Sequence, residues 1–99
     1  MFNNDKWINS SVEAVEEKFA SNQRVEILNC SVNLSQVCSV RRDLREVKDP
    51  TDNNFSLTFP CITFDFNNGK SLSWFYTDSQ RDSDYKFITK LLKIKTCPK

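Results

Sequence analysis

Residues 61–76, CITFDFNNGKSLSWFY, alternate apolar and polar side chains on both sides of an Asn-Asn-Gly run. Ile62, Phe64 and Phe66 alternate with Cys61, Thr63 and Asp65. After the run, Leu72, Trp74 and Tyr76 alternate with Ser71, Ser73 and Phe75. Two amphipathic strands joined by a tight turn are expected. A two-residue turn at Asn68-Gly69 would set Ile62 and Phe64 beside Phe75 and Ser73, spending the buried face on a serine. A three-residue turn over Asn67, Asn68 and Gly69 pairs Phe66 with Lys70, Phe64 with Leu72 and Ile62 with Trp74. Because one residue of slip moves every side chain to the other face, the longer turn is the expected one. It needs a positive φ at its end, where the chain's single glycine stands.

At 99 residues the chain is expected to be one domain, 1–99, with no linker. Phenylalanine occurs eight times against two Trp and two Tyr, so the core should be rich in it. A formal charge of +1 argues against a surface that is one large polyanion trap. No apolar run approaches the roughly 20 residues of a membrane span, and the N-terminus is polar, so the expected location is cytoplasmic. Cys30, Cys38, Cys61 and Cys97 lack the paired spacing of a zinc site, and the chain has no His. Cys30 and Cys61 read as small buried hydrophobes within strands. Asn9, Asn29, Asn33 and Asn54 begin N-x-S sequons, which read as chance matches in a chain rich in Asn and Ser.

Over residues 5–20, Ile8, Val12, Val15 and Phe19 recur at spacings of four, three and four, the stripe of an amphipathic helix capped by Asn4 or Asn3. Residues 24–34 read as a strand apolar on both faces, or one bulged near Ile27 and Leu28. Residues 35–47 are ambiguous. Val37, Val40, Leu44 and Val47 suit a helix, while Cys38, Val40, Arg42 and Leu44 share a strand parity. Helix is preferred because alternation would turn Arg42 inward, and Asp49-Pro50 ends either element. Phe55, Leu57 and Phe59 restart alternation on odd positions, and beyond Pro60 the apolar face moves to even positions. A long kinked strand is expected, its halves facing different parts of the core. Ser83 opens a last helix through Tyr85, Ile88, Leu91, Leu92 and Ile94. The expected fold is therefore α+β: an antiparallel sheet of three to four strands, with N-terminal and C-terminal amphipathic helices packed on one face.

Without His, a Cys or Ser has no ordinary general base, and one glycine cannot build a phosphate-cradling loop. Glu13 with Glu17, and Asp82 with Asp84, read as solvated surface charge. No cofactor is expected, and enzyme activity is not. Two basic clusters stand out: Arg41, Arg42, Arg45 and Lys48, and the lysines 86, 90, 93, 95 and 99 that follow Asp84 without an acidic residue. Their ordinary reading is the wet face of two helices; the sharper one is a phosphate-binding surface of Arg41, Arg42, Arg45, Lys86, Lys90 and Lys93 for nucleic acid or another anionic surface. Phe75, alone on a hydroxylated strand face, and Trp7, at the margin of the first stripe, are either packed or offered to a partner. The expected function is a small non-enzymatic domain that binds a protein partner through its sheet or an aromatic patch, with Phe75 and Trp7 as its candidate residues. Nucleic-acid binding is the alternative, and a small inhibitor acting by charge mimicry is a third.

Overall fold

The computed structural model describes residues 6–77 and 79–95, with side chains through Leu92. The expected caps Asn3 and Asn4, Asp78, Cys97 and Lys99, and the side chains of Lys93, Ile94 and Lys95, lie outside the described residues. In chain order the elements are β1 (Trp7–Ile8), β2 (Ala14–Lys18), β3 (Arg24–Leu28), β4 (Val32–Asn33), a 3-10 turn at Leu34–Gln36, β5 (Val37–Asp49), β6 (Asp52–Phe66), β7 (Ser71–Phe75) and α1 (Gln80–Lys95). Strands β5, β6 and β7 form an antiparallel meander, β2 and β3 a separate hairpin, and β1 and β4 a short pair. At about 3.4 Å per residue the 15 residues of β6 span roughly 51 Å, the length of the 51 Å long axis of the molecule.

The β6–β7 turn has the register expected from the alternation. Phe64 faces Leu72 and Ile62 faces Trp74. The Phe66 N–H donates to Lys70 O at 2.8 Å, and Gly69 takes φ +87°. Trp74 and Phe64 meet edge to face at 4.8 Å between ring centres, a contact worth about 0.5–1.5 kcal/mol beyond the burial itself.

Strand β6 presents its two apolar halves to opposite sides. Its even residues Ile62 and Phe64, with Trp74 and Tyr76, pack against Ile88 of α1 and against Val32 and Leu34. Its odd residues Phe59 and Cys61 pack under Val15 of β2, with Val25, Ile27, Val47, Leu57 and Phe75 around them. The sheet is thus covered by α1 and the β1–β4 pair on one face and by the β2–β3 hairpin on the other. The strand runs through Pro60 without losing register, Leu44 facing Pro60 between Arg45–Phe59 and Asp43–Cys61. Pro60 O accepts from the Tyr76 N–H at 2.9 Å. Its missing N–H would point to that same flank, where β7 ends, so no bond to β5 is lost.

The N-terminal helix is not borne out: the only α-helix among the described residues is α1, and the stripe residues belong to strands and turns. Ile8 lies in β1, Val12 in a connecting segment, Val15 in β2 and Phe19 in the β2–β3 turn. Asn9, Ser10 and Ser11 interrupt that stretch, and such side chains favour local bonding over a helix interior. Residues 35–47 are likewise β5 after the short turn. Val37 faces Phe66 while Ser39 faces Asp65, leaving Cys38 as an extra residue on β5. This bulge brings Val37 and Val40 to one face at a spacing of three, imitating helical periodicity. Segment 24–34 also divides, β3 ending at Leu28 and β4 starting at Val32. The tips of the two hairpins are tied together by Ser21 Oγ, which donates to Asp49 Oδ2, while Asp49 Oδ1 accepts from Thr51 N–H at 2.8 Å across the Asp-Pro turn.

A Cβ built at Gly69 meets no atom within 4 Å, so substitution there carries only the backbone strain of its positive φ. Gly69→Val is expected to lose more than about 1 kcal/mol in thermal melting, and Gly69→Asn clearly less, since Asn tolerates this conformation.

Candidate functional site

The two outer edges of the three-stranded sheet are treated differently. On β7 the edge is met at Phe75 by a single side chain. Asn29 Oδ1 accepts from the Phe75 N–H at 2.8 Å, and Asn29 Nδ2 donates to Phe75 O and to Val12 O, both at 2.9 Å. The amide of Asn29 stands in for a neighbouring strand. One residue on, Cys30 O accepts from Trp74 Nε1 at 2.6 Å.

The outer edge of β5 has no strand beside it among the described residues. In an antiparallel ladder a residue turns its N–H and C=O to the same neighbour, and successive residues alternate. Pro60 and Phe66 turn theirs toward the β7 side, so even residues of β6 serve β7 and odd residues serve β5. Opposite the odd residues stand Arg41, Asp43, Arg45 and Val47; the backbones of Val40, Arg42, Leu44, Glu46 and Lys48 therefore point outward. Leu44, at the middle of this row, is 65% exposed. Its N–H donates to its neighbour's Asp43 Oδ1 at 2.9 Å. A shallow hollow beside it is lined by Arg42, Asp43, Leu44 and Arg81.

The candidate residues read from the sequence are dispersed. Phe75 is half-buried, its ring edge-on to Phe59 at 5.8 Å under the β2–β3 hairpin. Trp7 on β1 is 63% exposed. Arg41 and Arg45 lie on the odd face of the sheet and Arg42 on the even face. Arg41 is bonded to Asp65. Arg42 reaches Asp82 at 3.8 Å and lies over the Tyr85 ring at 5.1 Å. Lys86 and Lys90 flank exposed Phe87 on α1, and the side chain of Lys93 is not described. The arginine cluster of the sequence is thus split by the sheet, and two of its members have carboxylate partners. The sequence gives Leu44 and Asn29 no binding role. Leu44 was absorbed into a supposed helical stripe, and nothing in the sequence marks Asn29 as a strand surrogate.

The groups with displaced proton affinity serve the fold. Hydrogen bonds from Ser71 and Ser39, then the Arg41 charge, hold the Asp65 carboxyl below the usual range. The Ser21 bond does the same for Asp49, which is fully occluded from solvent. Burial, reinforced by Asp84, raises the Tyr76 phenol; its hydroxyl donates to Asp84 Oδ2 at 2.6 Å and accepts from Ser10 Oγ at 3.0 Å. Ser11 donates to the same carboxylate oxygen through its N–H at 2.9 Å and Oγ at 3.0 Å. Burial pushes the Cys61 thiol up to about 11, the behaviour of a structural thiol. Cys30 and Cys38 are exposed and free. Among the described residues there is no group of three or more side chains suited to a metal, and no helix is long and apolar enough to cross a membrane. Comparison with family models, curated proteins and solved structures finds no match to this chain.

Two outcomes are expected. Asp49 and Asp65 have folded pKa values below their unfolded ones, so their stabilisation is present above about pH 4 and is lost as pH falls through the folded values. The melting temperature should hold level from pH 7 to pH 5 and drop below pH 4, and Asp65→Asn should remove part of that drop. Asn29→Leu should cost about 1–3 kcal/mol by chemical denaturation, because Phe75 N–H and C=O lose their partner in a half-buried place.

Proposed function

We propose that this chain is a non-enzymatic interaction domain, acting in the cytoplasm, that binds a protein partner by pairing an extended segment of it with the outer edge of β5. The observation that carries this reading is the outward row of Val40, Arg42, Leu44, Glu46 and Lys48, set against a β7 edge whose Phe75 backbone is taken up by Asn29. Addition of a strand to such an edge supplies main-chain hydrogen bonds for affinity and alternate side chains for selectivity. Leu44 offers an apolar contact at the centre of the row, and the charges around it restrict which segment can enter. The division of Arg41, Arg42 and Arg45 between two faces favours this reading over a continuous phosphate-binding track.

Proline tests it, because at Glu46 it removes an N–H that points outward and leaves the ladder to β6 intact. Glu46→Pro is expected to keep its melting transition. Extended peptides selected from a random library against the wild-type chain should protect the Arg42, Leu44 and Glu46 amides from hydrogen exchange and bind Glu46→Pro about tenfold more weakly or worse. Peptides indifferent to that substitution would remove the edge from consideration. Labelled single-stranded DNA whose affinity falls steeply with salt and depends on Arg41, Arg42 and Arg45 would put nucleic-acid binding in its place.

A further inference from the structure

Resting on the edge reading above, we infer that the segment received by β5 is the same strand of a second copy of this chain, paired antiparallel about a two-fold axis through Leu44. The sequence Arg42-Asp43-Leu44-Arg45-Glu46 alternates in charge about its central leucine. Antiparallel self-pairing brings together residues equally distant from the axis. Arg42 then faces Glu46 of the second copy on one side of the sheet, and Asp43 faces Arg45 of the second copy on the other. Symmetry repeats each attraction. Directly opposed unlike charges stabilise a strand pair and like charges destabilise it.

The register is selected as well as permitted. Moving the axis by one residue sets Asp43 or Arg45 against its own copy; moving it by two sets Arg42 or Glu46 against its own copy. Of the axes within two residues of Leu44, only the one at Leu44 leaves no like charges opposed, so the same side chains that guard the edge against other strands admit this one. The backbone geometry agrees. Leu44 turns its N–H and C=O outward, so on the axis it exchanges both with its counterpart, and Arg42–Glu46 and Val40–Lys48 fall on hydrogen-bonding pairs as well. The exposed Leu44 side chain meets its own copy beside the axis.

The single chain is already poised for this exchange. Arg45 and Glu46 form no ion pair among the described residues, and Arg42 has one long carboxylate contact, 3.8 Å to Asp82, beside its place over the Tyr85 ring. Asp43 Oδ1 holds the Leu44 N–H at 2.9 Å in the single chain. On pairing that N–H passes to the carbonyl of the second copy, and Asp43 Oδ1 turns to Arg45 while Oδ2 keeps its 3.4 Å contact with Thr63 Oγ1. The product is one continuous sheet in which both outer edges are β7 strands, each capped at Phe75 by its own Asn29.

Sedimentation equilibrium over a concentration series reaching the millimolar range tests this, with the full chain and the exposed-site variants Arg42→Glu and Glu46→Arg. The wild type is expected to dimerise reversibly. Each variant opposes like charges at both symmetric positions and should weaken the dimer by about tenfold or more. An equimolar mixture of the two should recover the wild-type association, because the two glutamates of one chain then face the two arginines of the other. A mixture no more associated than its components, or a wild type that stays monomeric, overturns the inference. Amide exchange on the monomer separates the two levels. If the wild type stays monomeric, fast exchange at Val40, Arg42, Glu46 and Lys48 leaves the edge open to some other segment, and only the second copy is overturned. Protection there equal to that of Arg41, Asp43, Arg45 and Val47 overturns the edge reading too.

Discussion

Everything in this fold depends on the alternation of side chains along one strand. A β-strand shows successive residues to opposite sides, and β6 carries Phe55, Leu57 and Phe59 on one parity and Ile62, Phe64 and Phe66 on the other. No single cover can bury both halves. The chain therefore places α1 and the β1–β4 pair over the even residues and the β2–β3 hairpin over the odd ones. Pro60 stands where the demand changes sides, at a position whose lost donor faces the end of β7. The proline marks the boundary between two cores and does not break the strand that joins them.

Where a segment's local pattern had one physical cause, the sequence was a sufficient guide. Residues 61–76 had to satisfy both an alternation and a glycine, and only one register did. α1 was legible because Tyr85, Ile88, Leu91 and Leu92 recur on one face with nothing to interrupt them, although it begins at Gln80, before Ser83. The two helices that do not form share a different origin. Spacings of three and four arise in an extended chain whenever a bulge or a bend resets its parity, as Cys38 does for Val37 and Val40. From Ile8 to Phe19 the same spacing comes from two strands and a connection, fixed by partners far along the chain: Ser10 with Tyr76, Ser11 with Asp84. No window of a dozen residues contains those partners.

The candidate edge was hidden for a related reason. Read as a helix, residues 35–47 present Arg41, Arg42 and Arg45 as one solvated cluster. Read as a strand, the same residues divide between two faces and expose a row of backbone groups centred on Leu44. The charges are unchanged; their meaning follows the period of the element that carries them. Asn29 shows the converse case, a residue whose role exists only once Phe75 has been brought beside it.

The long hairpin has a further consequence for synthesis. The chain is made from its N-terminus, so β1, β2 and β3 leave the ribosome before the sheet they cover exists. Val15, Val25 and Ile27 find their partners only after Val47, Leu57 and Phe59 have been added, and Ser10 waits for Tyr76, a separation of 66 residues. A two-stranded hairpin alone is marginal in water. The portion translated first is thus the last to be secured, and Glu13, Glu16, Glu17 and Lys18 keep that early segment charged during the interval in which its apolar side has nothing to rest on.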